Sequence, residues 1–381
     1  MLHEPTISEE IERPTSVVVD LDRLTHNLHL LRAAAAGAQV MCILKANAYG
    51  HGLVPVARHL EDIGGVCFGV AYLEEGVRLR ESGIRSPILV LGGIVGSQIP
   101  HFLRHDLTLT ASSVDKLKAI DDCAAAHGLR ARVHLKIDTG MERIGVHWYS
   151  AARLLEASLS CAHVSVEGIF SHFATADDLD LARARVQLER FLEVLRWYDD
   201  RSLPVPLRHL ANSGGLLQLP EARLDLVRPG ILLYGVYPNP ELPRTLPVLP
   251  ALSWKTTVTY FKVVRAGSPV SYGGTWAPEE DTRVITLPVG YGDGYHRAMS
   301  NRAEVCHRGA RLRQVGRVCM DQMMVQLGRG EAYNGDVVWL IGGEDAGAIS
   351  VEALAGWAGT VPHEILTSIN TRVPRSYTRT R

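Results

Sequence analysis

Residues 107–138 read LTLTASSVDKLKAIDDCAAAHGLRARVHLKID, and the reading of this stretch decides the fold. A short run of apolar and β-branched residues (LTLTA) gives way to a segment whose apolar positions recur every three or four residues. A second short run, RVHLKID, follows. The two runs predict strands and the middle predicts an amphipathic helix. The same alternation extends on both sides, from residue 16 to about 235. Strands are predicted at SVVVDL, VMCILK, CFGVA, PILVLG, VEGIFSHFA, LRHLAN and DLVRPGILLYG, with helices at LTHNLHLLRAAAA and DLARARVQLERFLEVLRWYDD. Eight or nine such strands within about 230 residues predict a (β/α)8 barrel of the TIM type, covering 16–237, in preference to a doubly wound sheet. Gly92, Gly93 and Gly96 lack the spacing of a dinucleotide loop and read as turn glycines.

The stretch PNPELPRTLPVLP, 238–250, concentrates prolines and reads as a stiff connector at a domain boundary. From 251 to 381 the pattern becomes mostly β (WKTTVTYFKVV, TRVITLPVG, AEVCHRGARL, MMVQLG, DVVWLIGG), with a helix near SVEALAGWAG. Residues 1–15 read as an N-terminal arm for which the β domain offers a packing surface. A chain of 381 residues with 46% apolar content has enough material for both domains. Forty basic against 41 acidic residues leave a net charge of −1, which argues against nucleic acid or an anionic membrane as partner. Six scattered cysteines without a C-x-x-C pair suit reduced thiols. With no secretory h-region and no apolar run of membrane length, a cytoplasmic protein is expected.

In a barrel the working residues sit at the carboxyl ends of strands. Lys45 follows Val40, Met41, Cys42, Ile43 and Leu44, so its amine is expected to emerge from a core, where desolvation lowers its pKa. Lys136 and Asp138 end RVHLKID, with Arg143 just beyond; His172, Asn212, Ser213 and Arg228 follow other apolar runs. Ser213 with Gly214 and Gly215, then Gly230 and Ile231, come from the last turns of the barrel, where backbone N–H groups commonly hold a phosphate. Each residue alone has a plainer reading: a surface lysine, a packing histidine, an arginine bridged to a carboxylate, a serine cap. Together, a desolvated lysine opposite a phosphate cradle is what pyridoxal phosphate chemistry requires.

Nine stretches then carry a resemblance: KANAYGHG at 45–52, KIDTGMERIG at 136–145, SHFATAD at 171–177, ANSGG at 211–215, RPGILLYG at 228–235, VSYGGTW at 270–276, VGYGDGY at 289–295, CMDQ at 319–322 and INTRVPRSY at 369–377. In these the chain resembles the alanine racemases, enzymes built from a barrel and a β domain around pyridoxal 5'-phosphate. The resemblance implies interconversion of L- and D-alanine, which supplies D-alanine for peptidoglycan. It implies Lys45 as the Schiff-base lysine, with Tyr49, Ser213, Gly230, Ile231 and Tyr377 around the phosphate and Asn212 and His172 also at the cofactor. Arg228 would face the pyridine nitrogen, and Arg143 the cofactor phenolate and the substrate carboxylate.

Racemisation needs a proton to leave one face of a planar carbon and another to arrive on the opposite face, so two bases are required. The resemblance assigns Lys45 to one face and Tyr272, from the neighbouring subunit of a homodimer, to the other. Tyrosine titrates near 10 unperturbed, and a relay through His172 to Arg228 is the implied aid. Met320 of that neighbour would bind the substrate carboxylate, while Tyr291, Cys319 and Asp321 would line the entrance. An arginine at the ring nitrogen weakens the electron sink and would disfavour transamination. Lys136 matches a position where a carbamylated lysine braces the arginine corresponding to Arg143; an ion-pairing lysine is its alternative.

Departures from the family pattern are Glu142 for a frequent glycine, Gly214 and Gly215 for common alanines, and Gly292 for the usual alanine. Glu142, beside Arg143, bears on substrate breadth, such as acceptance of serine. His101 and His105 have metal-ligand spacing on a helix, but no third ligand is evident and surface histidines are expected. A related amino-acid decarboxylase would carry glutamate where this chain has Arg228, and a pyridoxal phosphate carrier would not need 251–381.

Overall fold

A computed structural model describes residues 13–343 and 345–379. The chain forms two compact units, Leu21–Leu249 and, together, the residues through Asp20 and those from Pro250 onward. Strand β1 (Ser16–Asp20) belongs to the second unit, so the first strand predicted for the barrel is not one of its staves. Its burial explains why. Val17 and Val19 are fully buried while Ser16, Val18 and Asp20 are half-buried, the alternation of a sheet with one solvated face.

The first unit contains β2 (Gln39–Ile43), β3 (Cys67–Val70), β4 (Ile88–Val90), β5 (Leu109–Ala111), β6 (Ala131–Asp138), β7 (Val146–His147), β8 (Val164–Phe170), β9 (Leu207–His209) and β10 (Leu226–Val227). Parallel pairing runs β10-β2-β3-β4 and β5-β6-β8-β9, with β7 appended to β6. A parallel bridge between Leu89 and Thr108 joins β4 to β5. Hydrogen bonds from Asp225 N to Arg208 O (3.1 Å) and from Arg228 N to Ala211 O (2.9 Å) join β10 to β9. The ring therefore closes on eight parallel strands. Both faces of these strands are covered, which is why β4 and β5 are buried at every residue. The helix predicted in the opening stretch forms at Val114–Ala126, turning Leu117, Ile120 and Ala124 inward, and Ser113 Oγ caps it by accepting from Lys116 N at 3.1 Å.

The proline-rich stretch is more than a connector. The buried Asn27 side chain donates to Leu233 O (3.0 Å) and Leu249 O (2.8 Å) and accepts from Leu249 N (2.8 Å), which fastens the stretch to the helix Leu21–Ala34. Buried polar groups demand such partners, so the barrel unit extends to Leu249.

The second unit is one sheet of nine strands in the order β12-β13-β16-β15-β14-β17-β11-β1-β18. Here β11 is Leu252–Thr257, β12 Tyr260–Val264, β13 Thr282–Leu287, β14 Glu304–His307, β15 Ala310–Val315, β16 Met323–Gly328, β17 Val337–Ile341 and β18 Arg375–Thr378. A second helix, Pro362–Ser368, which the sequence reading missed, follows the one at Val351–Ala358. Of the predicted arm, Arg13 pairs with the buried Asp293 and Thr15 bonds to Thr256 and Pro288; residues 1–12 lie outside the described residues. Among the described residues no helix is long and apolar enough to cross a membrane.

Candidate active site

Lys45 leaves the end of β2 into a turn of the wrong hand. Ala46, Asn47, Ala48 and Tyr49 have φ of 53°, 56°, 53° and 51°, a left-handed helical turn built without glycine. It closes through Ala48 N to Leu44 O (2.7 Å) and Gly50 N to Ala46 O (3.1 Å). For L-residues this conformation costs about 1–2 kcal/mol each, so the surroundings must impose it. Glu75 Oε1 accepts from Ala46 N at 2.7 Å, and Asn47 Oδ1 accepts from Leu53 N at 2.9 Å. The Lys45 amine is held below the usual lysine range, first by burial and then by Arg143, with Arg228 adding to the effect and Glu75 opposing it.

Arg228, 4% exposed, follows β10 and reaches the ends of β8 and β9. It donates to His209 Nδ1 (2.8 Å), Ser171 O (2.7 Å), Leu210 O (3.1 Å) and His172 Nδ1 (3.4 Å). All of these partners are neutral, and burial lowers the guanidinium to about 9. Burial and the Arg228 charge push both His172 and His209 well below the ordinary histidine value. Because Arg228 donates to Nδ1 of each ring, the proton of each neutral imidazole sits on Nε2. His209 Nε2–H then donates to His134 Nδ1 at 2.8 Å.

Lys136 is 3% exposed; its Nζ donates to Ile137 O (2.9 Å) and lies over the Phe170 ring at 5.1 Å. Burial, with Arg228 and Arg143, lowers it to about 7 although Asp138 opposes them. Asp138 organises the loop that carries Arg143, since its carboxylate accepts from the backbone N–H of Gly140 (2.8 Å), Met141 (3.0 Å) and Arg143 (3.2 Å). Burial alone would raise this carboxyl, but the N–H groups of Gly140, Glu142 and Arg143 outweigh it and hold it low. Glu142 occupies a left-handed position (φ 53°), which accounts for glycine as the natural choice there, and its carboxylate reaches His147 Nδ1 at 3.7 Å.

On the other side of the mouth, Ser213 Oγ accepts from the N–H of Gly230 (3.0 Å) and Leu232 (3.4 Å). The Asn212 side chain caps the helix Ser213–Gln218 by accepting from Gly215 N at 2.9 Å. A Cβ on Gly230 would meet the Tyr49 hydroxyl at 2.3 Å, so that hydroxyl, the Ser213 side chain and the turn before Ile231 crowd together. Gly214 has no room either: a Cβ would come 2.4 Å from Ala176 O and 2.7 Å from Asp177 N, both backbone. Gly214→Ala should therefore destabilise the chain by about 1–3 kcal/mol through overpacking, read as a lower urea midpoint at unchanged slope.

The remaining predicted residues belong to the β unit. Tyr272 follows Ser271, whose φ of 65° is unusual for serine, and its side chain is 70% exposed. Ser271 Oγ donates to Arg317 O (2.7 Å) and lies 3.4 Å from Cys319 Sγ. Tyr272 and Cys319 line one groove with Tyr260, Lys262, Pro269 and Met324. Tyr291 N donates to Cys319 O (3.0 Å) and Gly292 N to Met320 O (2.9 Å), which ties the VGYGDGY and CMDQ loops together, and Arg372 bridges them by donating to Asp293 (2.7 Å) and Asp321 (2.8 Å). Tyr377 is set apart from these, half-buried on β18 at the opposite end of the sheet from β12.

Glu75, His134 and His209 are the residues sequence reasoning passed over. His134, Lys136 and Asp138 alternate along β6 and so share one face, a pattern that was available to be read.

A family model described as alanine racemase, N-terminal domain, matches residues 19–238, and one described as alanine racemase, C-terminal domain, matches 251–377. The alanine racemase of Carboxydothermus hydrogenoformans is 42% identical over 367 residues, 96% of this chain and 100% of that one. The alanine racemase of Desulforamulus reducens is 41% identical over 96% of this chain and 100% of its own length. Among solved structures, alanine racemase from D-cycloserine-producing Streptomyces lavendulae superposes with a TM-score of 0.93 at 36% identity, covering 98% of this chain and 99% of that one. The Bacillus anthracis alanine racemase with bound L-Ala-P gives 0.89 at 34% identity, covering 97% of this chain and 96% of that one.

Proposed function

Because the chain belongs to the alanine racemase family, we propose that it interconverts L- and D-alanine in the cytoplasm, using pyridoxal 5'-phosphate, as a homodimer whose sites draw on both subunits. The observation that carries this reading is the placement of Lys45 at the carboxyl end of β2, where burial and the charges of Arg143 and Arg228 lower its amine. Three features suit the cofactor. Arg228 has neutral hydrogen-bond partners and a place for one more acceptor, which fits an unprotonated pyridine nitrogen. Ser213, the turn at Gly230 and Ile231, and the Tyr49 hydroxyl crowd together and would offer hydroxyl and N–H donors to a phosphate, the Gly230 N–H being held until then by Ser213 Oγ, beside the helix that Asn212 caps. The surplus of cations at the mouth suits a doubly anionic ligand. When bound, the cofactor delocalises the charge left on the α-carbon once its proton is removed.

The protein's residues divide the rest of the work. Lys45 removes or returns a proton on one face, its lowered affinity for protons keeping a neutral amine accessible. Tyr272 of the neighbouring subunit serves the other face, its exposure on the β unit leaving it free to do so. His172 keeps its proton on Nε2 under Arg228 and so donates to the tyrosine oxygen, stabilising it when deprotonated. Arg143, on the loop braced by Asp138, takes the substrate carboxylate together with Met320 of the neighbour, and Tyr291, Cys319 and Asp321 line the approach; the phosphate role of Tyr377 rests on its place in INTRVPRSY alone. D-alanine for peptidoglycan is the physiological product.

Lys136, about half neutral at pH 7, is suited to carbamylation: its neutral nitrogen attacks carbon dioxide, a proton leaves to solvent, and the carbamate offsets the Arg143 charge. Intact-mass measurement in bicarbonate should show one added carbon dioxide at Lys136, and degassed buffer should remove it and raise the KM for alanine. A decarboxylase is the second reading, disfavoured by Arg228 at the ring position. Incubation with L-alanine in heavy water decides: D-alanine carrying α-deuterium is expected, whereas carbon dioxide release, or no reaction, overturns the proposal.

A further inference from the structure

We propose that Glu75 is a positioning residue for Lys45: its carboxylate holds the left-handed turn from Ala46 to Tyr49 in place and so fixes where the lysine amine and the tyrosine hydroxyl point. This rests on the reading of Lys45 and Tyr49 given above and deepens it. Both carboxylate oxygens are engaged, and they join two loops of the barrel. Oε1 accepts from Ala46 N at 2.7 Å, while Oε2 accepts from Ala71 N at 2.8 Å and Tyr72 N at 3.3 Å, at the end of β3. A residue that merely capped the helix Leu73–Glu81 would need only the second set. The first set instead grips the amide next to Lys45, at the start of four consecutive left-handed residues. At the far end of the turn, the Tyr49 ring stands 4.9 Å from the Tyr234 ring, whose hydroxyl donates to Ile43 O at 2.8 Å, so both ends of the turn are secured to the barrel. Among the described residues, Glu75 is also the anion that acts on Lys45, opposing the charges of Arg143 and Arg228.

An amide cannot replace this carboxylate. Glutamine has one acceptor oxygen, so in either orientation its NH2 faces a backbone N–H donor. The test uses the full-length chain freed of pyridoxal phosphate, with two readouts that do not depend on racemisation. One is the pH profile of Lys45 acetylation by acetic anhydride, read by peptide mass spectrometry; the other is the rate of pyridoxal phosphate recapture, read by absorbance. Glu75→Gln should move the acetylation profile to lower pH, because the favourable charge is gone, and slow recapture by about tenfold, the scale of a lost charge-assisted hydrogen bond. Glu74→Gln, on the same helix, should change neither. Adding Ala46→Gly to Glu75→Gln should restore recapture, since glycine accepts the left-handed conformation freely, but not the acetylation profile. If Glu75→Gln is insoluble, Ala46→Gly/Glu75→Gln is compared with Ala46→Gly for the profile shift. The inference is overturned if Glu75→Gln matches Glu74→Gln in both readouts, if glycine brings no recovery, or if the fallback pair shows no shift. A chain that acts on another amino acid would leave these contrasts intact, and their failure would leave the heavy-water assay untouched.

Discussion

Lys45→Ala should lower alanine racemisation by at least about 10⁴-fold, because the substitution removes both the group that holds the cofactor and the base on one face of the substrate. The residual rate is to be measured by chiral chromatography with saturating pyridoxal phosphate, so that weaker binding does not pass for lost chemistry. Lys45→Arg should be equally inactive, since a guanidinium holds its proton more tightly than an ammonium in the same place and cannot replace an amine as nucleophile. An amine pushed down by burial, Arg143 and Arg228 loses its proton at lower pH than a free lysine, so activity should rise with pH earlier than a solvated lysine would allow. Substantial racemisation by Lys45→Ala would remove the site from this lysine altogether.

Tyr272→Phe should cost about 10²–10⁴ in kcat while leaving the fold intact, because the side chain is 70% exposed and the hydroxyl is the only atom removed. The loss should be one-sided. The face served by Lys45 remains competent, so one enantiomer should still exchange its α-hydrogen with heavy water while conversion to the other almost stops. Subunit sharing makes a further demand on the same variants. Unfolding and refolding Lys45→Ala with Tyr272→Phe at equal concentration should recover about a quarter of wild-type activity, since half the dimers are mixed and each mixed dimer rebuilds one complete site. Recovery well below that would place both bases in one polypeptide.

Most of the barrel was legible because its strands are short, apolar and separated by helices with a 3.6-residue period. The closed ring needed nothing beyond that rhythm. SVVVDL was misassigned because a run of valines marks a strand without naming its sheet; only the alternate exposure of Ser16, Val18 and Asp20 separates it from the staves. Lys45, Arg228 and Ser213 stood out because each breaks an apolar run. Glu75 did not, for a glutamate in the first turn of a helix is the ordinary solvated choice, and its reach to Ala46 depends on a turn that no sequence rule foresees in Ala-Asn-Ala-Tyr. His209 was hidden in the same way: within LRHLAN it is one polar residue of a strand, and only the closed ring brings it to Arg228.

The reversed turn after β2 also changes what KANAYGHG means as a signature. At 46 to 48 the residues are Ala, Asn and Ala, none branched at Cβ, so the strain of a left-handed backbone is less there than for valine, isoleucine or threonine, which would clash with their own main chain whatever their chemistry. Much of that motif is thus a record of handedness rather than of reactivity, and a search that scores only its reactive lysine and tyrosine would discard the letters that bend the chain toward them.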